Sequence, residues 1–136
     1  MLNSLKKKHP EFYPLVWQAY SSGTNLLFGN EIIQSLTGLQ QGDVLGPYLF
    51  SLSIQELISN LKSSLNIWYL DDGTLGGDPN DVLKDWKKIL VKGKEIGLSL
   101  NPGKCELYTV ILHHECQSLE EFQLLAPNIK VISSTE

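Results

Sequence analysis

Hydrophobic and polar positions in the first part of the chain predict a helix followed by a tight hairpin. The helix ends near residues 21–23 and has Pro14 in its first turn. A proline is tolerated there because the backbone N–H that it lacks would not take part in a helical hydrogen bond. Residues 26–28 and 31–33 are mostly apolar and flank Gly29-Asn30, a dipeptide typical of two-residue hairpin turns. The side chains expected to supply the apolar contacts of the helix are Leu15, Trp17, Ala19 and Tyr20.

Helical spacing recurs twice in the middle of the chain. A helix is predicted from about Pro47 to Leu61, and a second one begins at Asp78, a good N-cap, and closes at Gly97. The apolar stripe of the first consists of Phe50, Ile54, Leu57, Ile58 and Leu61, and that of the second of Val82, Leu83, Trp86, Ile89 and Leu90. These stripes, with Trp68, are more typical of a core than of a binding site.

The last third of the chain predicts strands around a turn, then a short helix and a final strand. Residues 98–100 and 106–112 flank the turn at residues 101–103, Ser118 starts a capping box, and residues 129–132 are strand-like. Strands in hairpins with helices packed on one face form an antiparallel α+β layer. We therefore expect residues 1–136 to form one α+β domain without repeats or linkers.

A pair of adjacent carboxylates stands where strand-forming residues meet a glycine. Residues 67–70 favour a strand, Asp71-Asp72-Gly73 is a turn signal, and Thr74 and Leu75 resume the strand character. Adjacent like charges repel unless they are solvated or share a cation, and Mg²⁺ prefers such oxygen ligands. On its own, a solvated turn without function explains this pair better than a metal site does.

Two further segments bracket the carboxylate pair and give it a context. Upstream, Gln41, Gly42 and Asp43 are followed by Gly46-Pro47 and an apolar helix; downstream, residues 97–105 read Gly-Leu-Ser-Leu-Asn-Pro-Gly-Lys-Cys. This order resembles the palm of reverse transcriptases and is most similar to those of non-LTR retrotransposons.

In the terms of that family, residues 41–47 match motif B, residues 69–72 match motif C and residues 98–104 match motif D. The resemblance extends from about Glu11 to Leu107. It implies a palm-like antiparallel sheet and nucleotidyl transfer from deoxynucleotides to a DNA primer on an RNA template, with paired Mg²⁺ ions. Pro is usual in the family where Val44 stands, so the resemblance implies a less rigid loop here.

The resemblance also implies roles for individual residues. Asp71 would be a metal ligand and Asp72 would support the metal site, while Tyr69 would pack near the primer end. Gln41 and Gly42 would lie close to the template and the incoming base pair. Lys104 is the candidate general acid for pyrophosphate, and an ordinary turn lysine explains it equally well. Asp43 belongs to motif B, yet a loop carboxylate beside glycine equally fixes a turn.

One part of the family pattern has no counterpart in this sequence. The family takes a further catalytic Asp from an earlier strand, motif A, and the acidic residues before Gln41 are Glu11 and Glu31. Fingers and thumb are missing as well, so we expect a partial palm that is inactive alone. The alternative is a catalytically dead retroelement remnant with no activity or at most an interaction role.

Charge argues against tight binding of nucleic acid by this chain alone. The net charge is −4, and all 11 basic residues are lysines, so bidentate arginine contacts to phosphate are absent. Lys84, Lys87, Lys88, Lys92 and Lys94 alternate with apolar residues and are typical of the solvated face of a helix. We expect weak nucleic-acid binding.

Composition adds little else. The sequence has neither a long apolar run nor a signal peptide, which predicts an intracellular protein without membrane partners. Cys105 and Cys116 are too few for a disulfide scaffold. His113, His114 and Cys116 could bind zinc in principle, but they lack paired spacing, so a structural or surface role is favoured.

Overall fold

The computed structural model describes residues 1–109 and 117–133. The chain divides into two compact units, Met1–Glu56 and Leu57–Glu136. The helices are α1 (Leu2–Lys8), α2 (Tyr13–Tyr20), α3 (Gly46–Ile58), α4 (Pro79–Glu95) and α5 (Gln117–Leu125). The strands are β1 (Thr24–Phe28), β2 (Glu31–Ser35), β3 (Leu65–Tyr69), β4 (Asp72–Gly76), β5 (Glu106–Thr109) and β6 (Lys130–Ser133).

The first unit is built around a small apolar core contributed by three helices. Its buried members are Leu5 of α1, Val16 of α2, and Leu49 and Leu52 of α3. The prediction for α2 was right about the element and only partly right about its contacts. Tyr20 packs half-buried against the core as predicted, and Val16 is buried in addition, whereas Leu15, Trp17 and Ala19 are exposed.

The predicted first hairpin is confirmed. β1 and β2 pair antiparallel over their full five-residue lengths, from Thr24 opposite Ser35 to Phe28 opposite Glu31. Gly29 has a φ of +61°, which glycine adopts without the steric cost that a Cβ would bring. Most side chains on both faces of this hairpin are exposed.

Helix α3 starts close to the predicted position, although its buried residues are only partly the predicted ones. Ile54 is buried as expected, and Leu49 and Leu52 are buried in addition. Phe50, Leu57 and Ile58 are half-buried.

Helix α4 of the second unit follows the sequence signals closely. The Asp78 Oδ1 accepts a hydrogen bond from the Asn80 amide at 2.9 Å, which caps the first turn, and Gly97 ends the helix with a φ of +84°. The ring of Trp86 in α4 packs edge-on against Phe122 of α5, with 5.8 Å between the ring centroids. Among the described residues of the unit, the buried apolar ones are Leu83, Phe122, Ala126 and Ile129.

The predicted strand pairing in the last third of the chain was wrong. Residues 98–100 are not a strand, and the turn after them is a short 3₁₀ helix, Pro102–Lys104. Strand β5 instead pairs parallel with β6, Glu106 opposite Lys130, since α5 provides the crossover that a parallel pair requires. The predicted continuation of β5 through residues 110–112 lies outside the described residues.

The described residues thus form a mixed helix-and-strand fold with three two-stranded sheets, of which β1–β2 and β3–β4 are antiparallel and β5–β6 is parallel. The single antiparallel layer expected from the sequence is not seen among them. In the described ranges no helix has the length and apolar character needed to cross a membrane.

Candidate functional site

The carboxylate pair lies at the tip of the second hairpin. Strands β3 and β4 pair antiparallel up to Tyr69 opposite Asp72, which leaves Leu70 and Asp71 as the two-residue turn. The predicted hairpin is therefore correct, but its turn precedes the predicted one. The five residues before the turn pair with the five residues after it, and this pairing sets the register. Asp72 and Gly73 are therefore the first two residues of β4.

The turn contains a strained residue. Leu70 has a φ of +52° and is the one non-glycine residue with positive φ among those described. A left-handed conformation costs a residue with a Cβ about 1–2 kcal/mol. Such strain persists only where the surroundings determine the conformation, and it concentrates at functional sites.

The tip presents its polar groups to solvent. Tyr69 is 78% exposed, and Asp71 and Asp72 are both exposed. Tyr69 and Asp72 stand directly opposite each other, so their side chains share one face of the hairpin. A ligand can therefore reach the phenol ring and both carboxylates without displacing any part of the hairpin.

The donor set at the tip fits Mg²⁺ in part. This ion is commonly held by one or two carboxylates, with waters and substrate phosphates completing its octahedral shell. Within residues 1–109 and 117–133, no group of three or more His, Cys, Asp or Glu side chains could hold a metal ion. Asp71 and Asp72 thus supply up to two ligands, and any further ones must come from other groups.

A buried carboxylate holds the segment that leads into this hairpin. The Asp85 Oδ2 accepts hydrogen bonds from the Lys62 amide, the Ser63 amide and the Ser63 hydroxyl, each at 2.7 Å. Asp85 is only 3% exposed. Burial favours a higher pKa for this carboxyl, but the hydrogen bonds from Ser63 and Lys62 and the nearby Lys88 charge outweigh it, so the pKa is lowered.

Asp85 was not predicted to be important from the sequence, although a signal existed. Asp85 stands three residues after Val82 and one before Trp86, which places it on the predicted apolar face of α4. An acidic residue on such a face is buried only if hydrogen-bond donors surround it.

The loop that matches motif B has its own internal support. The Tyr20 hydroxyl donates to Asp43 Oδ2, and the Leu45 amide donates to Asp43 Oδ1 at 2.9 Å. These two hydrogen bonds lower the pKa of the Asp43 carboxyl, whereas burial and the bond to Asp43 raise the pKa of Tyr20. Asp43 therefore fixes the turn, and its partner is Tyr20, which the sequence marked only as an apolar contact.

Gln41 and Gly42 lie at the exposed part of this loop. Gly42 has a φ of +89°, and a Cβ built on it would meet no atom within 4 Å. Glycine is thus required here by the backbone conformation rather than by a neighbour within the described chain. The space beside it is open.

Lys104 belongs to a different element from the tip carboxylates. It is the last residue of the 3₁₀ helix, whose start is capped by the Asn101 Oδ1 accepting from the Gly103 amide at 3.1 Å. Its side chain is exposed, and among the described residues no ion pair joins it to Asp71 or Asp72.

The remaining residues considered for chemistry are the two cysteines and two histidines of the last third of the chain. Cys105 is half-buried, and burial raises the pKa of its thiol. His113, His114 and Cys116, considered for zinc, lie outside the described residues.

The structure thus brings Tyr69, Asp71 and Asp72 together on one hairpin of the second unit, which also contains Lys104. Gln41 and Gly42 belong to the first unit.

Comparison with known proteins agrees with the motifs. The sequence model of the family described as reverse transcriptase (RNA-dependent DNA polymerase) matches residues 3–129. No curated protein and no solved structure gives a significant match. Since the family match covers nearly the whole chain, the chain belongs to the reverse transcriptase family.

Proposed function

We propose that this chain is part of an RNA-directed DNA polymerase of the non-LTR retrotransposon type, in which Asp71 and Asp72 hold Mg²⁺. The family in general implies a divalent-metal-dependent polymerase with a nucleic-acid template and primer. The observation that carries the proposal is the pair of exposed carboxylates at the tip of the β3–β4 hairpin, in a chain that the family matches over residues 3–129.

The reaction would be transfer of a nucleotide to a primer. The primer 3′-oxygen forms a bond to the α-phosphorus of a deoxynucleoside triphosphate, and the bond from that phosphorus to pyrophosphate breaks. Bound Mg²⁺ supplies activation of the 3′-hydroxyl and stabilisation of the leaving pyrophosphate. Asp71 would be the direct ligand, since it occupies the turn itself, and Asp72 would support it from the first position of β4.

Three residues would position the substrates. Tyr69 shares the face of Asp72 and is exposed, which supports packing of its ring near the primer end. Gln41 and Gly42 would border the template and the incoming base pair. The open space beside Gly42 supports this role, because nothing within the described chain occupies it.

Lys104 would donate a proton to the departing pyrophosphate. An exposed ammonium at the end of a short 3₁₀ helix can approach an anionic leaving group without losing an ion pair with either tip carboxylate. A proton donor at this point lowers the cost of charge on the leaving oxygens.

We further propose that the chain alone is inactive. Asp71 and Asp72 supply two carboxylates, and the two-metal chemistry of the family draws on another one. Three of the α4 lysines are engaged with carboxylates, Lys84 with Asp81, Lys87 with Glu121 and Lys92 with Glu95, which leaves less positive charge for phosphates. The net charge of −4 equally favours the alternative, an inactive remnant with at most an interaction role.

The metal site can be tested with Mn²⁺ as a paramagnetic substitute for Mg²⁺. In the full chain we expect Mn²⁺ to broaden the amide NMR signals of residues 70–73, and Asp71→Asn to abolish this broadening. Asp78→Asn is the control, because it removes a carboxylate of the same unit that lies outside the tip, while Asn still caps α4. Broadening that survives Asp71→Asn would overturn the assignment of the site.

Primer extension on an RNA template tests the proposed inactivity of the chain alone. With Mg²⁺ and deoxynucleotides, we expect no extension by the purified chain. Extension that Asp71→Asn abolishes would support the polymerase assignment and contradict the proposed inactivity of the chain alone.

A further inference from the structure

Tyr69 and Asp72 share one face of the β3–β4 hairpin, and on the other face a tryptophan lies over a glycine. Trp68 and Gly73 stand directly opposite each other on β3 and β4. A Cβ built on Gly73 would lie 2.7 Å from Cη2 and from Cζ3 of the Trp68 ring, and 2.8 Å from Cε3. The indole therefore lies on the backbone of Gly73, at a distance that only glycine permits. Gly73 is thus a glycine because of this ring, although its sequence context suggested a turn.

The ring cannot move aside freely, because its nitrogen is bonded. The Trp68 Nε1 donates to the Asn66 Oδ1 at 2.7 Å, and the Asn66 Nδ2 donates to the Ile58 carbonyl at 2.9 Å. An indole nitrogen only donates and a carbonyl only accepts, so both bonds are satisfied by one orientation of the Asn66 amide. The end of α3 is thereby linked through Asn66 to Trp68, and through its ring to the residue after Asp72.

This linkage bears on the tip, because a two-stranded hairpin is marginally stable by itself. Leu70 holds a strained conformation there, and strain persists only where neighbouring contacts determine it. A metal ligand must also be held to within about 0.5 Å of its productive position. The Trp68 ring contacts Gly73 of β4, and Gly73 directly follows Asp72 in the chain.

We propose that Trp68 is a positioning residue for the metal site: its ring, oriented by Asn66, fixes the backbone at Gly73 and so holds Asp72 and the strained turn in place. This inference rests on the proposed metal site for its consequence, but the contact itself can be tested without metal.

The test is a double-mutant cycle in the full chain with Gly73→Ala and Trp68→Val. A methyl group at position 73 displaces the ring, so Gly73→Ala should weaken Mn²⁺ binding by about ten-fold, as loss of a supporting group around a metal ligand commonly does. In the Trp68→Val background the methyl group meets no ring, so the same change should have no further effect. An equal effect of Gly73→Ala in both backgrounds would overturn the proposal.

A second readout uses no metal. Amide hydrogen exchange at residues 71–73 should be faster in Gly73→Ala than in the wild type, and Gly73→Ala should cause no additional increase once Trp68→Val is present. Asn66→Ala, which frees the ring without altering its size, should give a smaller increase in exchange. Trp17→Val is the control for loss of an exposed indole elsewhere. Unchanged exchange in both Gly73→Ala and Asn66→Ala would overturn the proposal.

The two readouts separate the two ideas. If Asp71→Asn does not alter Mn²⁺ broadening but the exchange cycle shows the coupling, the proposed metal site fails and the positioning contact stands. If Mn²⁺ binding depends on Asp71 but the cycle shows no coupling, the metal site stands and Trp68 does not position it.

Discussion

The two antiparallel hairpins of this chain share a geometry but differ in the residue that forms the turn. Each has two five-residue strands joined by a two-residue turn whose first residue has positive φ. In β1–β2 that residue is Gly29, at +61°, and in β3–β4 it is Leu70, at +52°. The first turn is formed by a residue suited to it, whereas the second forces a leucine into the same conformation.

The hairpins also differ in what they expose and in how they are held. The first exposes Leu27 and Phe28, and its start is bonded to the residue before motif B, because the Gln40 Nε2 donates to the Thr24 hydroxyl at 2.8 Å. The second exposes carboxylates and is preceded by a segment held by buried Asp85. Strain beside exposed carboxylates supports the proposal that the second hairpin binds a metal ion.

The largest expected effect is at the anchor of the second hairpin. Asp85→Ala removes the acceptor of three hydrogen bonds and leaves the Lys62 and Ser63 amides without it, which should lower the free energy of unfolding by about 3 kcal/mol. Urea unfolding at neutral pH measures this. Asp81→Ala on the exposed side of the same helix should cost less than about 1 kcal/mol, because its ion pair with Lys84 is at the surface.

The difference in unfolding free energy between the wild type and Asp85→Ala should depend on pH. Because folding lowers the pKa of Asp85 from its ordinary value of 3.8, its stabilisation is fully present above that value and is lost as the pH falls through the folded pKa. The difference in unfolding free energy between wild type and Asp85→Ala should therefore be constant above about pH 5 and shrink below about pH 4. A difference that grows on acidification would contradict this assignment.

A smaller loss of unfolding free energy is expected for a substitution in the turn of the first hairpin. A Cβ on Gly29 would meet no atom within 4 Å, so Gly29→Ala tests the conformational cost alone. We expect a loss of about 1 kcal/mol in the unfolding free energy, because alanine is disfavoured at positive φ. Asn30→Ala, in the same turn but at negative φ, should change stability much less. Equal effects at both positions would contradict the steric explanation.

The smallest effect has the opposite sign and lies in the second turn. Leu70→Asn should raise the unfolding free energy by about 0.5 kcal/mol, since asparagine adopts positive φ more readily than leucine. Leu70→Val at the same position should destabilise, because a β-branched side chain tolerates positive φ poorly. Thermal unfolding of the two variants side by side checks both signs. A loss of stability in Leu70→Asn would mean that the leucine side chain contributes more than its conformation costs.

The sequence predicted elements where local chemistry decides them. Gly29 marks the first turn, Asp78 caps α4 and Gly97 ends it, each through contacts within a few residues. The second hairpin was predicted, but its turn was shifted, because Asp-Asp-Gly resembles a turn more than Leu-Asp does and the register depends on pairing along both strands.

What could not be predicted depends on contacts between distant parts of the chain. Parallel pairing of β5 with β6 joins segments on either side of α5, and no local pattern distinguishes it from a hairpin. The partnership of Tyr20 with Asp43 spans 23 residues, and the contact of Trp68 with Gly73 depends on cross-strand register. The position of the carboxylate pair on a hairpin was thus predictable from the local sequence, whereas the contacts around that hairpin were not.

The parallel pair also bears on the order in which the second unit assembles during synthesis. Glu106 and its partner Lys130 are 24 residues apart, whereas every pair of the β3–β4 hairpin lies within residues 65–76. Pairings of large sequence separation form more slowly, and β6 leaves the ribosome after α5. The carboxylate hairpin is therefore available to fold while β5 still presents an unpaired edge, and a released chain truncated after Thr109 would expose that edge to association with other chains.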